Sequence, residues 1–452
     1  MQITYVRFLY ALNEGNVYAA YVMMTRSNLT NSLIGDILDK KTLVNVSSIF
    51  ITRVAGYIVP LISLPYLVRV LEPSGYGAYA FSFAFTQYFV LLVNYGFDLS
   101  VTKDIAQFSS DREKVSVYFW SVLSVKIILF FISISLFIVS CSFSDTLQKN
   151  AYNISFQFIM VFAAVVFPQW LFQGKEELGV ISMLRLVTQV LCLPMIFLFV
   201  NEQEDIWLAS FLTALPYLMT AIFSMVLIFS RGWITWCTPP KKRIIEQLID
   251  GWYIFVSTAS VSLYTTSISV FLGFVSSPES VGIYVAASQL MQAAKGLISP
   301  LLEVYYPKIS KLVSENKANA IIEIKKLFKI QFFLNLICGA VLYSVSPYII
   351  HLLYGDRFED SIIVLKILSL IPILVGCSNV FGVQTLLTHG YKKDFSKVIL
   401  FSSIVSVFIS ATLCWLYSYI GAAVSIIAAE FLVLVLMYKK VKDRKLNIVR
   451  LI

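Results

Sequence analysis

Apolar stretches long enough to cross a bilayer follow one another from residue 44 to residue 438, separated by short polar breaks. A hydrocarbon core of about 30 Å needs roughly 20 apolar residues per helix. About twelve stretches fit: 44–68, 76–98, 115–141, 152–172, 178–200, 206–230, 249–275, 281–304, 327–351, 361–388, 395–417 and 419–438. None alternates apolar and polar residues with the two-residue period of a barrel strand. The expected fold is all-α and integral to a membrane. Composition agrees: 58% of the 452 residues are apolar and 13% are charged, with a mean hydropathy of +0.79. A soluble domain is nearer half apolar and a quarter charged.

Lys and Arg set the expected orientation. Most of the 35 basic residues fall in the termini and alternate loops, while the intervening loops hold only Arg69, Lys149 and Arg357. The positive-inside rule then puts both termini in the cytoplasm of a multi-pass inner-membrane protein. The net charge of +9 reads as topology plus contact with anionic membrane lipids, with no reason to invoke nucleic acid. Cys141, Cys192, Cys237, Cys338, Cys377 and Cys414 are scattered and form no Cys-x-x-Cys pair, so neither disulfides nor a zinc site are expected.

The chain divides into a cytoplasmic tail (1–41), a six-helix bundle (42–231), a linker (232–247), a second six-helix bundle (248–438) and a basic cytoplasmic tail (439–452). The tail 1–41 is also readable as a mis-called start, with Met23 or Met24 as the first residue. In the linker, Pro239-Pro240 followed by Lys241-Lys242-Arg243 reads as a stiff segment and then a membrane-hugging one. The bundles echo each other weakly. Glu72-Pro73-Ser74-Gly75-Tyr76-Gly77-Ala78-Tyr79-Ala80 and Pro278-Glu279-Ser280-Val281-Gly282-Ile283-Tyr284-Val285-Ala286 each give a turn and then Gly-x-Tyr at a helix start. Two such repeats imply a pseudo-two-fold axis along the membrane normal with a site between them.

Gly75-Tyr76-Gly77-Ala78-Tyr79 through Asn94-Tyr95-Gly96-Phe97-Asp98 resembles the Wzx-type O-antigen flippases, the polysaccharide-exporter branch of the MATE/MOP superfamily. Phe167-Pro168-Gln169-Trp170-Leu171-Phe172-Gln173-Gly174-Lys175-Glu176 agrees with it in order and spacing. So do Val281-Gly282-Ile283-Tyr284 through Tyr306-Pro307-Lys308-Ile309-Ser310, Tyr354-Gly355 through Val383-Gln384, and Gly421-Ala422-Ala423 through Ala429-Glu430. The resemblance implies two six-helix bundles around a central cavity that opens alternately to each side. It also implies a substrate, an oligosaccharide repeat unit on undecaprenyl pyrophosphate moved from inner to outer leaflet, and, as candidate partners, polysaccharide polymerase and chain-length machinery.

Charges at bilayer depth cost several kcal/mol, at the lower end about 2.5–3.5 each, and so point to function. Arg53, Lys126 and Lys295 lie deep in apolar stretches; Arg185 and Lys366 are shallower and either face a cavity or snorkel to a headgroup layer. A basic excess on a shared cavity suits a pyrophosphate or an acidic sugar, because Arg offers a fork of donors and Lys a mobile point charge. The acids Glu430, Asp250 and Glu303 are candidates for ion coupling or structural pairing. Tyr57, Tyr88, Gln87, Asn94, Tyr253, Tyr264 and Gln289 are further candidates for a sugar-binding wall. Pro60, Pro65, Pro194, Pro216, Pro300 and Pro372 are expected to kink their helices.

No Gly-x-x-x-x-Gly-Lys-Ser/Thr loop is present, and His351 and His389 stand alone near helix ends. Catalysis, a cofactor and a metal are not expected; energy would come from a proton or sodium gradient or from removal of product. The rival readings are an ion-coupled small-molecule exporter of the same superfamily, a flippase for the peptidoglycan precursor, and a membrane-embedded polysaccharide polymerase or ligase. Short exterior loops such as Ser276–Ser280 argue against the polymerase.

Overall fold

The computed structural model describes residues 40–446; the side chains of residues 40–61, 253, 257, 261, 263–265, 300 and 303 fall outside that description. The expected tail 1–41 therefore lies almost wholly beyond the described residues. In chain order the helices are α1 (Lys40–Asn94), α2 (Phe97–Gln107), α3 (Arg112–Ser142), α4 (Asp145–Val166), α5 (Gln169–Gly174), α6 (Leu178–Phe199), α7 (Ile206–Ser230), α8 (Lys241–Val275), α9 (Pro278–Glu315), α10 (Lys317–Leu353), α11 (Asp360–Leu368), α12 (Ile371–Phe381) and α13 (Lys392–Asp443). A π-helical turn, Gly382–Leu387, continues α12. No strand occurs among the described residues.

Eight helical segments among the described residues are long and apolar enough to cross a membrane by length and composition. Two of them, Ile62–Gln107 and Lys392–Asp443, contain sharp breaks that the sequence reading treats as loops between separate spans. Glu72 (φ 57°) breaks α1 and Ser418 (φ 50°) breaks α13.

Proline has a smaller part in bending the bundle than its positions suggest. Within α1 the non-helical backbone is at Glu72, past Pro65. Pro372 sits in the first turn of α12, where its missing N–H costs no hydrogen bond. Pro194 and Pro216 lie inside α6 and α7 as expected. The linker is shorter than 232–247, because Lys241-Lys242-Arg243 forms the first turn of α8. Its preceding strip is laced onto α3: Arg112 donates to the Ile234 carbonyl, Trp120 donates to the Thr235 carbonyl, and the Thr235 N–H donates to Ser116 Oγ.

The turns around residues 72, 203, 276–280, 355 and 418 gather at one end of the bundle, called here the short-loop end; the basic loops mark the other. At the short-loop end Gln203 bonds Ser74 Oγ at 2.6 Å, Ser418 bonds Ser276 and Ser280, and Arg357 pairs with Glu72. Arg69 donates through Nε to the Leu353 carbonyl at 2.8 Å, closing an orphan acceptor at the end of α10.

One apolar cluster crosses both halves here, running from Leu67, Leu71 and Tyr76 to Val281, Tyr284 and Leu365. Towards the basic end each half has its own cluster. One is built on Phe119, Trp170 and Phe172, the other on Ile309, Leu327 and Met437.

The two repeat segments meet face to face where α1 crosses α9. A methyl group on Gly77 would collide with the Pro278 carbonyl, and one on Gly282 would collide with the Pro73 carbonyl. One register relates Pro73 to Pro278, Gly77 to Gly282 and Tyr79 to Tyr284, so the contact is reciprocal, as a two-fold contact must be. Glycine is required at both places because the partner backbone occupies the side-chain volume.

Candidate functional site

Between the halves lies a cavity of about 460 Å³. Its first wall comes from the N-terminal half: Tyr79, Phe83 and Gln87 of α1, Gln189 and Leu193 of α6, and Thr213 and Tyr217 of α7. The facing wall carries Tyr284, Ser288, Gln289, Gln292 and Lys295 of α9 and Glu430 of α13. The residues recur every three or four positions, so each helix turns one stripe to the cavity. The paired tyrosines of the two repeats, Tyr79 and Tyr284, sit on opposite walls.

Lys295 and Glu430 are the charged groups among the cavity's described lining residues. They interact electrostatically but form no ion pair within 4 Å, and Glu430 is only 7% exposed. Among the described residues the Lys295 ammonium has no hydrogen-bond partner, so its donors are free for a ligand.

A second, smaller cavity of about 120 Å³ lies inside the N-terminal half, lined by Asn94, Asp98, Phe167, Gln169 and Arg185. Gln87 and Tyr217 line both cavities, which are therefore neighbours. Two helix breaks build it. The chain leaves α1 through Tyr95 (φ 48°) and Gly96 (φ 84°), and it leaves α4 through Phe167 and Pro168. These are the motif segments 94–98 and 167–176, far apart in sequence and adjacent here. Gly174 packs against Ile105, and Thr102 Oγ1 donates to the Trp170 carbonyl, holding α5 on α2.

Lys126 does not line the large cavity. It is 2% exposed, and its Nζ donates to the carbonyls of Ala164 (2.8 Å) and Phe167 (3.3 Å) and to Asn94 Oδ1 (3.4 Å). The break after α4 frees those carbonyls, and an ammonium at a helix C-terminus is well placed to take them up. Asp98 lies in the field of both Lys126 and Arg185.

The remaining candidates are dispersed. Arg185 stacks its guanidinium over Phe167 at 5.5 Å in the small cavity. Lys366 sits over the Tyr343 ring at 5.6 Å, away from either cavity. Asp250 is exposed near the start of α8. The side chains of Arg53 and Glu303, and of Tyr57, Tyr253 and Tyr264, are outside the described residues. Tyr88 bridges the halves instead of lining the cavity, with its hydroxyl 2.7 Å from Ser267 Oγ.

Sequence reasoning passed over Asp98, which falls at the edge of the expected span 76–98, and over Gln189, Thr213, Ser288 and Gln292. The last two had a readable signal. Ser288, Gln292 and Lys295 recur at helical spacing on one face of an otherwise apolar span.

All six cysteines are free. No group of three or more His, Cys, Asp or Glu among the described residues could hold a metal ion.

Comparison with known proteins places this architecture. Residues 42–313 match the family described as polysaccharide biosynthesis protein. A candidate O-antigen transporter of Escherichia coli (strain K12) is 35% identical over 410 residues, covering 89% of this chain and 97% of that one. Among solved structures, the lipid II flippase MurJ in an inward closed conformation superposes with a TM-score of 0.67 at 15% identity, covering 88% of this chain and 87% of that chain. An inward-facing multidrug resistance MATE family transporter of the MOP superfamily gives 0.60 at 16% identity, covering 86% and 99%. At such identities these two likenesses speak for the fold alone.

Proposed function

Because the chain belongs to the polysaccharide biosynthesis protein family, we propose that it flips an oligosaccharide repeat unit, carried on undecaprenyl pyrophosphate, across the bacterial inner membrane. The basic end would face the cytoplasm and the short-loop end the periplasm, as the distribution of Lys and Arg favours. The observation that carries this reading is the cavity at the interface of two pseudo-equivalent halves, with a band of amides and hydroxyls on its walls and the Lys295 ammonium, which has no hydrogen-bond partner among the described residues.

The size fits a sugar headgroup. Small-molecule pockets run from about 300 to 1,000 Å³, and 460 Å³ accepts a few sugar rings but no polyprenyl tail. The tail would stay in the bilayer while amides and hydroxyls of Gln87, Gln189, Ser288, Gln289 and Gln292 exchange hydrogen bonds with the sugar. Lys295 would take an anionic oxygen of the pyrophosphate or of an acidic sugar. Arg53, deep in α1, is assigned to the same path from sequence, whereas Lys126 would act as a tether between helix breaks. Glu430, buried beside the cavity, is the candidate for proton or sodium coupling. It is also the feature that favours the second reading, an exporter of cationic small molecules.

Complementation tests both. The wild-type gene is placed in a strain lacking its own flippase, and surface polysaccharide is measured at matched membrane levels. Wild type is expected to restore the polymer, Lys295→Ala to lower it at least tenfold, and Lys295→Arg to keep part of it, since a charged hydrogen bond is worth about 1.5–3 kcal/mol. Failure of the wild type together with gained drug resistance would favour the exporter.

A further inference from the structure

We infer that the small cavity of the N-terminal half is a separate anion-binding subsite, with Arg185 as its ligand-holding residue. Charge accounting leads there. Lys126 is buried and Asp98 half-buried, close enough to interact, and Lys126 also has its three oxygen partners. Arg185 shares the field of Asp98, but its side chain makes no hydrogen bond and no ion pair among the described residues; its contact is the Phe167 ring. Two cations and one carboxylate leave one positive charge, and the guanidinium that carries it lines a cavity of about 120 Å³. A half-buried arginine fork with unused donors is open to an anion or water that takes them up.

The surroundings fit a compact oxyanion. Asn94 and Gln169 bring amide groups to the same wall, and Tyr217 brings a hydroxyl. The guanidinium lies 5.5 Å from the centre of the Phe167 ring, a cation–π contact that leaves all of its N–H donors for a ligand. The cavity adjoins the central one, because Gln87 and Tyr217 border both. The ligand class is therefore a phosphate or carboxylate oxygen group reaching sideways from the central cavity. It would be a phosphoryl group of the lipid carrier or the carboxylate of an acidic sugar. The identity of the carrier rests on the flippase reading; the subsite itself does not.

The test uses the purified full chain in lipid nanodiscs, titrated calorimetrically with inorganic pyrophosphate and, separately, with glucuronate. Arg185→Gln should weaken binding at least about tenfold, Arg185→Lys should retain part of it, and Ala163→Met, which fills the small cavity without touching a charge, should weaken it as Arg185→Gln does. Arg185-dependent binding of pyrophosphate alone assigns the phosphate source; binding of glucuronate alone assigns the carboxylate. Wild-type affinity in both Arg185→Gln and Ala163→Met, or no binding of either anion by the wild type, overturns the subsite. Complementation separates the two claims. A wild type that restores polysaccharide with Arg185-independent anion binding keeps the flippase and loses the subsite. One that binds anion through Arg185 but restores nothing does the reverse.

Discussion

The two ends of the bundle are closed by different physics. At the short-loop end the halves share one apolar cluster and meet backbone to backbone, with Gly77 under the Pro278 carbonyl and Gly282 under the Pro73 carbonyl. At the basic end each half keeps its own cluster, and α8 crosses to the joint between α1 and α2. There Gly251 lies against the Tyr95 ring, Gly96 against Ile254, and Tyr95 stacks on Phe255 at 4.9 Å. Rings can slide and re-stack, whereas a carbonyl lodged in the space of a missing Cβ has no alternative position. The short-loop seal is thus the all-or-none one, and the basic end is the one expected to yield first.

The strongest attempt to break this contrast is Gly77→Leu or Gly282→Leu. Either should hold the short-loop end apart and take polysaccharide export to background. In a Cys192→Ala chain, a Ser288→Cys reporter on the cavity wall should become reactive to an impermeant thiol reagent from the periplasmic side. Normal export with an unreactive reporter would mean that the reciprocal contact is not a seal.

A smaller effect is expected at the other end. Phe255→Ala removes a stack worth about 0.5–1.5 kcal/mol beyond its buried area, which amounts to a few-fold rise in labelling of the same reporter from the cytoplasmic face in inverted vesicles. If Phe255→Ala disrupts export more than the glycine variants do, the ranking of the two ends is reversed.

Least of all should depend on the Glu72–Arg357 pair. The two side chains are 36% and 65% exposed, and such pairs contribute about 0–1 kcal/mol, less in high salt. A double-mutant cycle with Glu72→Gln and Arg357→Gln, read as reporter labelling, should give a coupling inside that range. A larger coupling would make the pair a latch and move part of the seal from backbone to charge.

Much of the architecture was legible because its signals are local. A span shows as a run of apolar residues whatever it packs against, and the turn at Glu72-Pro73 and the Gly-x-Tyr after it are readable one residue at a time. The sites were legible only in part. Lys295 and Glu430 stand out as charges in apolar helices, and both reach the cavity. Lys126 stands out equally and does not, because the carbonyls that hold it come from a break at the end of α4, and the sequence 152–172 reads as one unbroken span. Asp98 and Arg185 look interfacial by position; the extra turns of α2 and the break at Phe167-Pro168 bring them together.

The sequence alone determined the solvent, the helical class, the repeat and the placement of charge, since each follows from how apolar and polar residues are spaced along the chain. The tertiary structure decided which charge meets which. A helix of 3.6 residues per turn does not announce which face is lipid-exposed when nearly every face is apolar. Only packing chooses among the faces. That choice placed Lys295 on the cavity, Lys126 in a cage of carbonyls, and Gly77 and Gly282 where two backbones touch.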